Sequence, residues 1–113
     1  MKRIEALVRP HELEELKKAL YGRGLLPGIT ATELRSYTRG VAERSMYRGI
    51  EQTIDLFPRI KIEIIAHDEL VAPLAQAIAR TAGRDRGACE ILVSEVAAVV
   101  RIRTGEIDEA AIA

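Results

Sequence analysis

The stretch of sequence that decides the fold is residues 47–63, YRGIEQTIDLFPRIKIE, which begins polar and ends in regular alternation. In the alternating half and just beyond it, isoleucine recurs at every second position, at Ile60, Ile62 and Ile64, which is the spacing of one face of a β-strand. The polar half extends back to about residue 37, so a long loop at about 37–57 is expected to connect two strands. A loop of that length inside a compact domain is usually functional or disordered.

The composition is that of one globular domain covering residues 1–113. Apolar residues make up 48% and charged residues 30% of the chain, which is ordinary for such a protein. The 17 Lys and Arg residues equal the 17 Asp and Glu residues in number, so no global basic field favours nucleic acid as a partner. The single cysteine, Cys89, excludes an intrachain disulfide and is expected to pack at the start of a strand.

The sequence also predicts where the protein works. The first residues, MKRIEALVRPHELEE, turn acidic too soon for a secretory leader. No run of residues approaches the roughly 18 apolar positions of a membrane span. We therefore expect a cytoplasmic protein with no direct insertion into a membrane.

Hydrophobic periodicity predicts four main strands and two helices. Pro10 opens the first helix, Gly22 and Gly24 end it, and Asp68 is the expected N-cap of the second. In order, the predicted elements are a strand at 2–8, a helix at 10–22, a strand at 29–37, the long loop, a strand at 59–66, a helix at 68–82, a strand at 90–96, an extended segment at 99–103 and an acidic tail from 105. This βαββαβ order predicts a ferredoxin-like α+β fold, an antiparallel sheet with both helices on one face. Apolar residues on the other face favour an oligomer whose subunits cover it.

The sequence predicts no catalytic residues and no metal site. His11 and His67 are isolated from each other and from Cys89, at no spacing that metal ligands use. No Ser-His-Asp arrangement, nucleotide-hydrolysis motif or pair of catalytic carboxylates is visible in the sequence. We therefore predict a protein that is not an enzyme.

Five stretches together resemble the PII signal-transduction family over nearly the whole chain. FPRIKIEI and VVRIRTGEIDEAAI are the more specific of them, and KRIEALVRP, GITATEL and YRGIE accompany them. The resemblance implies a homotrimer with nucleotide clefts between neighbouring subunits, acting as a regulator of other proteins and not as a metabolic enzyme. It also implies a T-loop at about 37–57 that docks on a partner, a B-loop at about 82–90 and a C-terminal segment at about 98–113.

The same resemblance implies an adenine nucleotide (ADP, ATP or AMP) as the ligand. Arg101 and Arg103, at i and i+2 on an extended segment, would project to one side and give fork-shaped hydrogen bonds to phosphate oxygens. The pattern alone favours a solvated edge with surface ion pairs, and the match to the family favours phosphate contact. The residues matched to nucleotide contacts are Leu7, Thr30, Ser36, Tyr37, Thr38, Arg39, Ile65, Gly87, Arg101 and Arg103.

Two positions depart from the family where it holds its effector. Gly40 stands in place of the glutamine that helps to hold magnesium and 2-oxoglutarate, and Arg59 in place of the lysine that pairs with the 2-oxoglutarate carboxylate. Arginine can bind a carboxylate, but at a fitted site the exchange is not conservative. Gly40 and Arg59 are therefore candidate effector residues, with bicarbonate as an alternative to 2-oxoglutarate, and the lost glutamine argues against magnesium.

The B-loop departs further from the family. Gly87 survives, but Glu90 stands where the family usually has a lysine close to phosphate. The reversed charge would weaken ATP binding if it faced the phosphates, and Arg84 and Arg86 could supply positive charge from within the loop. We therefore expect ADP or AMP to be tolerated better than ATP.

The T-loop keeps Tyr47, Arg48 and Gly49 but carries Gln52 where many bacterial relatives have a tyrosine that is uridylylated. That modification cannot occur at Gln52. The arginines of the loop, Arg44 among them, make it net basic, which fits either a solubilising face or a docking surface. The implied partner is a membrane transporter or channel, or an enzyme of nitrogen or carbon metabolism.

Two other functions stay open. One is a trimeric interaction scaffold whose clefts have lost small-molecule binding, which Glu90 favours and Arg101 and Arg103 disfavour. The other is a metal-tolerance-like or enzymatic protein of the same fold, which would need a ligand or acid–base cluster that the sequence does not show.

Overall fold

The computed structural model describes residues 1–24, 28–37, 43–47, 50–54, 56–82 and 90–112. Short 3-10 turns at Pro10–Glu12 and Asp68–Leu70 lead into the two main helices. In chain order the elements are β1 (Lys2–Val8), α1 (Leu13–Gly22), β2 (Thr30–Tyr37), β3 (Glu43–Tyr47), β4 (Ile50–Ile54), β5 (Leu56–Ala66), α2 (Val71–Ala82), β6 (Ile91–Glu95) and α3 (Glu109–Ile112). Of these described helices, none combines the length and the apolarity that a membrane span needs.

Four of the strands form one antiparallel sheet in the order β2-β5-β1-β6. β1 lies between β5 and β6, so that Ile4 is opposite Ile64 on one side and Val93 on the other. The predicted α+β class and the four-stranded antiparallel sheet, which fit the ferredoxin-like arrangement, are confirmed. β3 and β4 pair with each other in a separate two-stranded sheet.

The hydrophobic core lies between the four-stranded sheet and the helices α1 and α2. Its most completely buried members, each at most 2% exposed, include Ile4, Leu16, Leu20, Ile62, Ile64, Leu74 and Ile78. In each helix two of these residues are four positions apart, which places them on one face. Burying a side chain of this size stabilises the fold by roughly 1.5–3 kcal/mol.

The opposite face of the sheet, called the open face below, carries a mixture of apolar and charged side chains. Leu7 and Ile65 are half-buried there, and Leu92 is exposed. Arg3 and Glu5 form an ion pair of 2.9 Å along β1. Because α1 and α2 both pack on the other face, neither covers these side chains. The predicted covering of this face by other copies stays a prediction.

The segment predicted as a long loop contains β3 and β4. They pair from Glu43 with Ile54 to Tyr47 with Ile50, which leaves two residues between the strands. The expectation of a plain loop is therefore wrong for these strands, because the polar residues obscured β-forming ones such as Tyr47, Ile50 and Ile54.

β5 begins at Leu56, earlier than the predicted start at residue 59. Its first residues pair with β2 only, since the pairing of β1 with β5 ends at Val8 and Ile60. Pro58 lies in this part of β5, opposite Arg35. A strand with one open side tolerates proline where its N–H would point to that side, because no hydrogen bond of the sheet is then lost.

Asp68 does not cap α2 as predicted. The N-cap position of the turn before α2 is His67, which makes no side-chain cap bond. The Asp68 carboxylate accepts a hydrogen bond of 2.7 Å from the amino group of Met1, which lowers the pKa of Asp68 and raises that of the amino group. The prediction is wrong because a cation brought close by the fold competes with the local backbone N–H groups for this carboxylate.

Leu20→Ala is expected to lower the free energy of unfolding by about 2–5 kcal/mol, because it leaves a cavity beneath α1. Tyr21→Ala is the matched control, since Tyr21 is the next residue of the same helix and is 80% exposed. The control should change the free energy of unfolding by less than about 1 kcal/mol. Urea unfolding at one fixed protein concentration measures both. Equal losses in the two variants would contradict the assigned core.

Candidate functional site

The strand register brings four of the predicted nucleotide residues onto the open face. They are Leu7 in β1, Thr30 and Ser36 in β2, and Ile65 in β5. In β5, residues 57, 61, 63 and 65 lie on the same face by alternation. Ser36, Leu7 and Thr30 are opposite the first three of them, and Ile65 is the fourth, so all four site residues share this face. Leu7 lies opposite position 61, so it and Ile65 are about 13 Å apart along the strands. The four residues are therefore spread along the strands and do not form one compact point.

Other predicted residues lie beyond these four. Tyr37 ends β2, is exposed, and by alternation faces away from Ser36. Arg44 and Tyr47 belong to β3, of which the backbone alone is described. Outside the described residues lie Thr38, Arg39, Gly40, Arg48, Gly49 and Gly87. Their predicted roles stay predictions.

A hollow of about 300 Å³ opens on the open face beside Leu7 and is called the Leu7 hollow below. Its lining is Glu5, Ala6, Leu7, Lys61, Glu90 and Leu92. Glu90, which stands where the family usually has lysine, therefore faces the same space as a residue matched to nucleotide contacts. Two carboxylates against one ammonium group make the hollow net acidic. Sequence reasoning did not assign Glu5, Lys61 or Leu92 to a site, because only the strand register brings them together.

Arg59, the candidate effector residue, is nearly covered by its neighbours in the chain. It is 8% exposed, and its guanidinium carbon lies 5.3 Å from the centre of the Phe57 ring. Its Nη1 donates a hydrogen bond of 2.8 Å to the carbonyl oxygen of Pro58. The guanidinium–ring contact could have been predicted, since Phe57 and Arg59 are two positions apart on one strand. Arg59 also lines a second hollow of about 480 Å³, together with Pro10, Glu33, Leu34, Arg35, Pro58 and Ile60.

Residues 99–108 form a closed turn, called the C-terminal turn below. The predicted extended segment at 99–103 is wrong from Ile102 onward, where the chain turns, whereas Val100 lies in a β-bridge. The N–H of Arg101 donates to the carbonyl of Glu106, and the N–H of Gly105 donates to the carbonyl of Arg101, each at 2.8 Å. Val100 pairs with Ile107 across the turn. Gly105 has a φ of 74°, a left-handed conformation that glycine adopts without strain and that lets the chain reverse here. α3 follows, so the predicted acidic tail also contains a helix.

Arg101 is held by both side-chain and backbone groups. Its Nη1 donates to Glu106 Oε1 at 3.3 Å, and its Nη2 donates to the carbonyl oxygen of Ala111 at 3.1 Å. The hydroxyl of Thr104 donates to the same Glu106 oxygen at 2.8 Å. Arg103, two residues further on, is exposed. The turn therefore fixes Arg101 and presents Arg103 to solvent, and the two do not project from a strand as expected.

The C-terminal turn leaves the sheet at the end away from the Leu7 hollow. β6 ends at Glu95, which is opposite Lys2 at the start of β1. Leu7 lies toward the other end of β1, about 17 Å from Lys2 along the strand.

The segment that carries Arg101 starts at the Lys2 end of the sheet. The bond from Arg101 to Ala111 ties the arginine to α3. The N–H of Val96 donates to the carbonyl oxygen of Met1 at 3.2 Å, so the segment that leads to the C-terminal turn begins beside the start of β1. Within one chain, Arg101 and the Leu7 hollow are therefore at opposite ends of the sheet.

The family of the chain follows from comparison with known proteins. A family model described as Nitrogen regulatory protein P-II matches residues 1–106, which include the whole sheet and both arginines of the C-terminal turn. The chain belongs to the P-II family. The resemblance found in the sequence is thereby confirmed.

Curated P-II relatives align with this chain over nearly their whole length. Nitrogen regulatory protein P-II 1 of Escherichia coli (strain K12) is 41% identical over 113 residues, which are 99% of this chain and 100% of the relative. Nitrogen regulatory protein P-II of Klebsiella oxytoca matches equally, at 41% over 113 residues. The P-II protein of Azospirillum brasilense is 43% identical over 107 residues, 94% of this chain and 95% of the relative.

Membership in the P-II family carries general properties. P-II family proteins are regulatory signal transducers and not enzymes, which agrees at the family level with the predicted lack of catalytic residues. They are trimeric, bind adenine nucleotides and regulate partner proteins.

Gly105→Ala is expected to destabilise the C-terminal turn, because a side chain at a φ of 74° costs about 1–2 kcal/mol. Gly28→Ala is the matched control, since a Cβ there would meet nothing within 4 Å and its φ lies outside the left-handed region. Hydrogen exchange of the Arg101 and Gly105 amides measures the effect and should accelerate only in the Gly105 variant. Unchanged exchange in that variant would contradict the turn.

Proposed function

We propose that this P-II family member binds an adenine nucleotide between neighbouring copies and thereby regulates a partner protein. The observation that carries the proposal is the position of two parts of the chain. The Leu7 hollow and Arg101 lie at opposite ends of one sheet, whereas a nucleotide needs a surface for its base and cations for its phosphates in one place. A second copy would bring its C-terminal turn to the hollow of the first.

The chemistry of the two parts supports this division. Leu7 and Leu92 offer apolar surface to a planar base, and Thr30 adds a hydroxyl on the same face. Exposed Arg103 can give charge-assisted, bidentate hydrogen bonds to phosphate. Assembly into the homotrimer of the family would cover the open face and create three such clefts. The proposed nucleotide residues are completed by Ser36, Tyr37, Thr38, Arg39, Ile65, Gly87 and Arg101.

The proposed preference for ADP or AMP over ATP rests on Glu90. Its side chain lines the Leu7 hollow together with Glu5, and Lys61 supplies the positive charge opposite them. Each further phosphate brings more negative charge toward these carboxylates, which raises the electrostatic cost of binding. The electrostatic cost of binding would therefore be smaller for ADP and AMP than for ATP.

The proposed output is docking of the T-loop on a partner in the cytoplasm. Arg44, Tyr47, Arg48 and Gly49 would make the contact, and their net positive charge suits an acidic surface on a transporter, a channel or an enzyme of nitrogen or carbon metabolism. Because position 52 is glutamine, the signal would come from the bound ligand and not from uridylylation there. Gly40 and Arg59 remain the proposed effector residues.

Arg103→Ala is expected to weaken ADP binding roughly tenfold or more, because a hydrogen bond between charged groups contributes about 1.5–3 kcal/mol. Arg80→Ala, which removes an exposed arginine near the end of α2, is the matched control and should leave the dissociation constant unchanged. Titration calorimetry with ADP measures both variants. If Arg103→Ala bound ADP as tightly as the Arg80→Ala control, Arg103 would have no role in the nucleotide site.

Glu90→Lys is expected to tighten ATP binding roughly tenfold, because it changes the charge at the hollow by two and a partly screened pair contributes up to about 1 kcal/mol per charge. Glu15→Lys makes the same charge change on exposed α1 and should have little effect. The ratio of the ATP and AMP dissociation constants is the readout. A ratio that stays the same in the Glu90 variant would contradict the proposed nucleotide preference.

The alternative function, a trimeric scaffold without small-molecule binding, is favoured by the net acidic lining of the Leu7 hollow. Calorimetry and thermal shift of the wild type with ATP, ADP and AMP, each alone and with 2-oxoglutarate or bicarbonate, separate the two functions. Binding of any nucleotide excludes the scaffold. A lack of response to all of them, in a protein shown to be folded and trimeric, would overturn the nucleotide proposal.

A further inference from the structure

Within the chain itself, a carboxylate lies against the arginine that is matched to phosphate contact. Glu106 Oε1 accepts a hydrogen bond from Arg101 Nη1 at 3.3 Å. A phosphate oxygen that bound Arg101 would use the same kind of N–H donor and carry the same sign of charge. The Glu106 carboxylate therefore stands where an anionic ligand would compete with it.

Glu106 is oriented toward Arg101 by its neighbours in the C-terminal turn. The hydroxyl of Thr104 donates to the Glu106 Oε1 that Arg101 contacts, at 2.8 Å, and the N–H of Glu106 donates to the Thr104 hydroxyl at 3.3 Å. The carbonyl of Glu106 accepts the backbone N–H of Arg101 at 2.8 Å. The two charges are thus held face to face by the same short loop, unlike a pair of independent surface side chains.

The guanidinium of Arg101 has a second anchor, so its position does not rest on Glu106 alone. Its Nη2 donates to the carbonyl oxygen of Ala111 at 3.1 Å. The side chains of Arg101 and Glu106 are 31% and 43% exposed, which makes their ion pair one of the weak, solvent-screened kind. A multiply charged phosphate can therefore displace the carboxylate without dismantling the turn.

We infer that Glu106 is a built-in competitor of phosphate for Arg101 and thereby sets the affinity of the nucleotide site. The inference rests on the proposed function and deepens it by naming the residue that tunes phosphate binding. Without ligand, Glu106 partly neutralises Arg101. On binding, a phosphate oxygen takes over the Nη1 donor, and the energy of the lost pair is subtracted from the binding energy. The ligand is released more readily than from an arginine without this carboxylate.

The test is ADP binding to Glu106→Gln, which removes the charge and keeps an oxygen able to accept from Thr104 and Arg101. Its dissociation constant is expected to fall about two- to fivefold, the range of a single screened pair. Glu106→Asp restores the charge and should return the dissociation constant toward the wild-type value. Glu109→Gln is the matched control, since it removes a carboxylate in α3, outside the turn, and should leave binding unchanged.

A second readout separates competition from a general change in the turn. Adenosine, which has no phosphate, should bind the wild type and Glu106→Gln equally, whereas pyrophosphate should bind the variant more tightly. Equal gains with adenosine and pyrophosphate would overturn the inference, because the effect would then not act on phosphate.

The outcomes also separate this inference from the function on which it rests. If the wild type binds ADP and Glu106→Gln binds it equally or more weakly, the inference is overturned and the nucleotide site stands. If the wild type binds no nucleotide, both are overturned. Should Glu106→Gln not fold, Thr104→Val loosens the same carboxylate by removing its hydroxyl donor, and unchanged ADP binding by that variant would likewise overturn the inference.

Discussion

The structure depends on the pairing of β1 with strands on both of its sides. β1 pairs with β5 along its whole length and with β6 from Lys2 to Ala6. This register holds Ile4 under the helices and, by alternation, turns Leu7 toward the open face. A shift by one residue would exchange the two faces of the strand, exposing the core residues and burying the charged ones. The same hydrogen bonds therefore fix both the core and the candidate site.

Elements with regular apolar spacing could be predicted from the sequence, and those governed by contacts distant in sequence could not. The alternation in β5 and the helical spacing of Leu16 and Leu20 identified both elements closely. By contrast, Asp68 follows a local capping rule that fails because Met1, 67 residues away in sequence, takes its carboxylate. The C-terminal turn was not predicted for a different reason. Alternation at 99–103 is equally compatible with the arm of a tight turn, and the positive φ of Gly105 cannot be read from a sequence pattern.

The candidate site could be predicted in its residue types but not in its geometry. Resemblance to P-II proteins selected Leu7 and Arg101, yet it could not say that one chain holds them at opposite ends of the sheet. The placement of Glu90 in the Leu7 hollow needs the pairing of β6 with β1, which no periodicity specifies. The pairing of Arg101 with Glu106 is local in sequence, but an interval of five residues matches neither helix nor strand spacing. The fold of the C-terminal turn is what brings the two side chains together.

A nucleotide site divided between copies links ligand binding to assembly. Whatever binds the assembled form and not the separated chains stabilises the assembly, so under the proposed function each bound nucleotide would also hold two copies together. The open face, with exposed Leu92 and half-buried Leu7 and Ile65, offers apolar area for association even without ligand. Glu106 also acts in the ligand-free state, where it is the counter-ion of Arg101 while no phosphate is present. The ligand would then adjust an assembly that already exists, which suits a regulator that must release its nucleotide in order to respond to a change in supply.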